Sequence, residues 1–211
     1  MSLTDEVYAQ LKDQILRVER APGDVVNEAV LAKEFDVSKT PVREALRLLA
    51  QSGWVVVLPR KGYIVRPVEL RDVRDIFAIR KMIEPTLAAD AARLATDAHV
   101  AHLEELLQRQ TATGQHLAEA LTAAREFHLA LAEMSGSQRV HSILSDLVDE
   151  VRRLHYLLPN VESHITSAGE LHAHKLILEA IRDRDEAQAR ARTLEHLNEV
   201  AHALVKGFAG I

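Results

Sequence analysis

The chain has 211 residues, enough for one domain or two small ones, and its 47% hydrophobic and 27% charged content is that of a soluble globular protein with a packed core. It has no cysteine, which excludes disulfides, thiolate metal sites and cysteine nucleophiles. Its formal net charge of −5 argues against a surface built throughout for nucleic acid.

In chain order, Thr4 reads as the cap of a first helix, with Asp5 and Glu6 in its first turn. Val7, Leu11 and Ile15 follow at four-residue spacing and give one apolar face. Pro22 and Gly23 end that unit in a turn. Asn27 caps a second helix whose apolar side is Val30, Leu31 and Phe35. After a short break at Asp36 and Val37, Ser38 starts a third helix. Pro41 falls in its first turn, where the missing N–H is harmless. Val42, Ala45, Leu46 and Leu49 form its buried face, and Gly53 its C-terminal cap. Trp54–Leu58 and Tyr63–Val65 then read as a β-hairpin turning over Pro59–Gly62. Helix, helix, three-residue turn, helix and hairpin make a winged helix-turn-helix over residues 1–68.

The charge supports a nucleic-acid role for this part alone. Residues 1–70 hold 10 Lys and Arg against 10 Asp and Glu, whereas residues 71–211 hold 16 against 21. Between Ser38 and Arg66 six cations face Glu44 alone, a net +5. On the third helix Lys39, Thr40, Arg43 and Arg47 avoid the apolar face, and Arg43 and Arg47 lie one turn apart. A helix about 10–12 Å across fits the major groove, and arginine forks can read guanine there. Arg60 and Lys61 at the hairpin tip can reach the backbone or a minor groove. A solvated basic face is the plainer alternative; the helix order, caps and wing tip together favour DNA.

From residue 69 the pattern is helical, with helices at 69–95, 97–113, 117–134, 138–158, 164–182 and 186–206. Thr96, Ser137 and Asp185 read as N-caps, and Gly136 and Pro159–Asn160 as stops. Six helices over residues 69–211 can share one core. The chain is thus mainly α. No nucleophile motif, phosphate loop, paired carboxylates or HExxH motif appears. All 11 histidines lie between His99 and His202. His128 and His174 look inward, and His196 sits at the edge of a Leu194/Leu197/Leu204 stripe; His202 lies on a solvated face. Each inward histidine alone could be an ordinary hydrogen-bonded core residue, but three on three helices could share a metal such as Zn, Ni, Cu or Fe. Arg80 stands among Ile76, Phe77, Ile83 and Leu87, where it can reach an anionic effector or pair with Glu84. Arg152 is a second candidate of that kind.

The run Val37-Ser38-Lys39-Thr40-Pro41-Val42-Arg43-Glu44-Ala45-Leu46, with Pro22-Gly23, Leu31-Ala32, Gly53 and Pro59-Arg60-Lys61-Gly62, resembles the DNA-binding domain of GntR-family bacterial transcription regulators. By that resemblance Ser38, Lys39, Thr40, Arg43 and Gly62 take DNA-contacting positions. Lys39 stands where many members have Arg, so a bidentate contact becomes a point charge. Some members carry an Arg early in the second helix; Ala29 lies there in this chain.

The later part resembles the FadR-type (FCD) effector domain through Arg80, Glu84, Glu126-Phe127-His128, Ser135-Gly136, His174, Asp185 and His196-Leu197. In metal-binding members three histidines, with an Asp one turn before the first, hold a divalent cation. The histidines map to His128, His174 and His196, and the Asp position is Ala124. Glu126 is a poor substitute, about 160° from His128 round the helix, and His172 lies as far from His174. The resemblance implies a divalent transition metal, Zn or Ni, in a carboxylate-poor site; a metal-free pocket that takes the effector directly stays open. The longest strongly apolar stretch, Trp54–Leu58, is far short of the roughly 20 residues of a membrane helix, so a cytoplasmic regulator with no membrane segment is expected. A homodimer would bind a pseudo-palindromic double-stranded DNA operator under control of a small carboxylic acid. The alternative is a metal-dependent enzyme of small acids with an accessory winged helix.

Overall fold

The computed structural model describes residues 2–112, 117–158, 161 and 167–209. The chain divides into two compact units, Met1–Glu69 and Leu70–Ile211.

The first unit holds α1 (Leu3–Leu16), β1 (Val25–Val26), α2 (Glu28–Glu34), α3 (Lys39–Gln51), β2 (Val55–Leu58) and β3 (Gly62–Val65). Leu11, Ile15, Val42, Ala45, Leu46 and Leu49 are fully buried, so α1 and α3 pack through the apolar faces their spacing defines. The cap of α1 is Ser2 rather than the expected Thr4. Ser2 Oγ accepts from the Asp5 backbone N–H, and the Asp5 carboxylate accepts from the Ser2 N–H. Ser2 has an acidic residue three positions on to close this box; Thr4 has Val7 there. Asn27 caps α2 as expected. Ser38 starts α3 with extended backbone, but its hydroxyl makes no capping bond. Asp36 takes a positive φ of 53°, and the Val37 N–H bonds back to the Ala32 carbonyl, so the turn between α2 and α3 closes tightly.

The wing is more than a hairpin. The sheet has the order β1-β3-β2, all antiparallel, with Val25 opposite Ile64 and Val26 opposite Tyr63. β1 has only two residues, too few for an alternating pattern to reveal. Gly62 takes φ +103°, and a Cβ there would meet the Val26 carbonyl oxygen at 2.9 Å. Only glycine fits both that conformation and that approach.

The second unit holds α4 (Leu70–Leu94), α5 (Asp97–Ala112), α6 (Leu117–Met134), α7 (Gln138–Leu157), α8 (Ala168–Arg182) and α9 (Glu186–Ala209). α4 is the hub and packs on α6, α7, α8 and α9. Thr96, Ser137 and Asp185 accept from backbone N–H groups as caps. Ser167 caps α8. The expected start of that helix at 164, the end of the 97–113 helix and the Pro159–Asn160 stop lie outside the described residues. On α9 the buried stripe is Ala189, Thr193, His196, Leu197, Val200 and Leu204, while Leu194 is 41% exposed. The stripe uses small Ala and Thr at its N-terminal end, which moves His196 from its expected edge position to the centre.

Candidate functional site

On the first unit, Ser38, Lys39, Thr40, Arg43 and Arg47 are all exposed along one side of α3, opposite its fully buried apolar residues. Arg43 forks onto Glu28 at the start of α2, with Nη2 3.0 Å and Nε 3.1 Å from Oε2. Arg47 bonds Glu44 at 2.9 Å. These pairs are solvent-screened, so they orient the guanidinium groups without locking them. Arg60 and Lys61 are exposed at the wing tip, where Arg60 takes a positive φ of 65°. Gly62 sits one step further in, at the start of β3, against the Val26 carbonyl.

On the second unit, the three inward histidines meet. His128 from α6, His174 from α8 and His196 from α9 are 5%, 0% and 1% exposed, and one ring nitrogen of each lies within 4.8 Å of the others. His128 Nε2 and His196 Nε2 are 3.4 Å apart. The outer nitrogens face acceptors. His128 Nδ1 lies 2.6 Å from the Glu84 carboxylate, and His174 Nδ1 lies 2.8 Å from Gln110 Oε1. His196 Nδ1 lies 3.6 Å from Glu170 Oε2. With the Nδ1 proton of His128 toward Glu84 and that of His174 toward Gln110, the Nε2 of each of these rings is left for a ligand. His174 Nε2 is buried with no hydrogen-bond partner among the described residues. Its ring stacks on Phe127 at 4.6 Å, which fixes its plane.

The electrostatics follow from burial and pairing. Glu84 is fully buried; burial opposes its charge, but Arg80 and His128 overcome that and hold it at about 2. Arg80 is itself 2% exposed and forms a two-point pair with Glu84. Of the two roles expected for Arg80, the pairing with Glu84 is present; the residue also lines the cavity beside His128 and His196. His174 is held well below its ordinary value, first by burial and then by the nearby His128 and Arg80. It is neutral at pH 7, the form that ligates metal.

The cavity measures about 30 Å³ and is lined by Ala124, Arg125, Arg152 and His155 as well as Arg80, His128, Glu170 and His196. That is room for an ion with a water. Arg152 reaches it through bonds to Asp149 at 3.2 Å and Thr122 at 3.2 Å. Arg125 bonds the same Asp149 at 2.7 Å. Glu126 points elsewhere, to Arg109 at 2.7 Å, and His172 and His202 are exposed, as the helical wheel implied. Sequence reasoning missed Gln110, Arg125 and Glu170. Gln110 and Glu170 carried a usable signal, since each stands in line with an apolar stripe: Gln110 after Leu103 and Leu106, Glu170 before His174 and Ile177.

Residues 3–65 match the gntR family of bacterial regulatory proteins, and residues 75–199 match the FCD domain. The chain belongs to the gntR family of bacterial regulatory proteins. An HTH-type regulator from an unstable DNA locus of Streptomyces ambofaciens is 33% identical, over 92% of this chain and 82% of its own length. The Nta operon transcriptional regulator of Aminobacter aminovorans is 30% identical, over 84% and 83%. The transcriptional repressor RspR of Escherichia coli K12 is 29% identical, over 96% and 89%. The solved structure of E. coli McbR/YncC has the same fold, with a TM-score of 0.85 over 99% of both chains at 24% identity. The chain is therefore a DNA-binding transcription regulator with an effector-binding domain, and not an enzyme. Among the described residues no helix is long and apolar enough to cross a membrane.

Proposed function

We propose that the second unit binds a small carboxylate effector on a divalent cation held by His128, His174 and His196, and that this binding sets operator affinity. The observation that carries the reading is the meeting of one ring nitrogen from each of the three histidines within 4.8 Å, with His128 and His196 also lining a cavity shared with Arg80 and Arg152. Ligand atoms about 2.0–2.1 Å from a tetrahedral ion lie about 3.3–3.4 Å apart. The 3.4 Å spacing of His128 and His196 suits such an ion. Two lone pairs at that distance otherwise repel. Imidazole sets of this kind take Zn or Ni. A cation there supplies a positive centre for a carboxylate, while Arg80 and Arg152 offer guanidinium N–H groups to its remaining oxygens. Glu84 and Gln110 hold the rings in register.

On the first unit, α3 enters the major groove with Ser38, Lys39, Thr40, Arg43 and Arg47 toward DNA, and Arg60 and Lys61 of the wing reach the adjacent backbone. The role of Gly62 is to let β3 approach β1, so that the wing tip is held in place. A homodimer presents two such units to a pseudo-palindromic operator, one half-site each. The effector shifts operator affinity by no more than its differential affinity for the two states, about 1–3 kcal/mol.

Native mass spectrometry of the purified full chain tests the site directly. One Zn or Ni per subunit is expected, lost in His128→Ala and His174→Ala. Full-length protein that stays metal-free in excess Zn and Ni would overturn the metal centre. A panel of small mono- and dicarboxylates added to the operator-bound dimer then reads out the effector: release by at least one acid is expected, and indifference to all would contradict acid control.

A further inference from the structure

Glu170 is a buried acid that neither the motif nor the histidine geometry required. It stands in the first turn of α8, is 4% exposed and lines the cavity. Its Oε1 lies 3.6 Å from His174 Nε2, and its Oε2 lies 3.6 Å from His196 Nδ1. It thus touches two of the three histidines at once, from one turn before His174 on the same helix.

The charge count gives this position meaning. Arg80 and Glu84 cancel as a pair, Arg125 and Arg152 share the single Asp149, and neutral imidazole ligands add no charge, so a divalent cation would add to an already positive, largely enclosed cavity. Isolated charge in such surroundings is costly. Ala124, one turn before His128 and also lining the cavity, offers no carboxylate from α6. Glu170 offers one from α8. Its 3.6 Å spacing from His174 Nε2 is close to the separation of neighbouring groups around one ion. Oε2 lies 3.6 Å from His196 Nδ1, so the same carboxylate borders two of the three rings.

We infer that Glu170 supplies the carboxylate of the cation centre, replacing from α8 the charge that α6 lacks. The inference rests on the metal reading above, and the test separates the two. Zn affinity of the full chain is measured by competition with a chelating dye for wild type, Glu170→Gln, and Glu170→Gln with Ala124→Asp. His128→Ala is the control for the centre itself. Glu170→Gln keeps size and shape, and its thermal melting without metal reports folding independently. The expected result is a roughly 10–100-fold loss of Zn affinity in Glu170→Gln, the range seen when a carboxylate supporting a metal site is removed. Partial recovery is expected when Ala124→Asp restores a carboxylate to the cavity. The visible spectrum of bound Co²⁺ should shift in Glu170→Gln as the field at the ion changes. Zn affinity within twofold of wild type, or a loss that Ala124→Asp leaves unrelieved, would overturn the role of Glu170 while leaving the three-histidine centre standing. A wild-type chain that takes up no Zn would overturn the centre as well.

Discussion

Arg80 and Glu84 carry opposite charges into the apolar stripe of α4, between Phe77 and Leu87. Such a pair contributes little net stability, because desolvation offsets its attraction, but losing one member strands the other. Glu84→Ala should therefore cost about 3–5 kcal/mol in urea unfolding, while the double change Arg80→Met with Glu84→Leu should be close to neutral. Equal losses in the two would contradict that reading. Arg80 was legible as a residue of interest, and its pairing with Glu84 as one of two outcomes. The contact from Glu84 to His128 was not, because it joins α4 to α6 and no local spacing encodes it. The same holds for Gln110 and His174, 64 positions apart. On α3, Arg43→Ala should abolish sequence-specific binding in a gel-shift assay while circular dichroism and native mass stay unchanged. Arg43 is exposed and its partner Glu28 is on the surface, so the fold does not depend on it.

Among the elements, helices were the most legible. Long apolar stripes with Ser, Thr, Asn or Asp at the start mark them, and the caps at Asn27, Thr96, Ser137 and Asp185 are present. β1 was invisible, since its two residues are defined only by pairing with β3. That pairing gives Gly62 its task and supports a prediction at this scale. Gly23 and Gly62 both have positive φ, at +92° and +103°, but a Cβ on Gly23 would meet nothing within 4 Å. Gly62→Ala should therefore destabilise the first unit by about 1–3 kcal/mol and clearly more than Gly23→Ala, as read by thermal melting. It should also weaken DNA binding, by shifting the wing tip that carries Arg60 and Lys61. Equal effects of the two substitutions would remove the close approach to Val26 as the cause.

For the whole molecule, the net charge of −5 conceals a division of labour. The segment Ser38–Arg66 carries +5, while residues 71–211 carry the acid excess and every histidine. The positive segment lies in the unit that matches the gntR family. Operator affinity should then fall steeply with salt, with a slope near −0.9 per phosphate neutralised. The change from short turn-separated elements to long helices near residue 69, with the shift in charge, marked where one kind of unit gives way to the other. The effector was not, because its identity depends on a cavity whose walls come from α4, α6, α7, α8 and α9. The most direct test is the affinity of the full chain for duplexes selected from a random pool, compared with scrambled versions at one salt concentration. Selected duplexes should share an inverted repeat and bind roughly 10³-fold or more tightly than scrambled ones. Equal affinity for both would contradict a sequence-specific regulator.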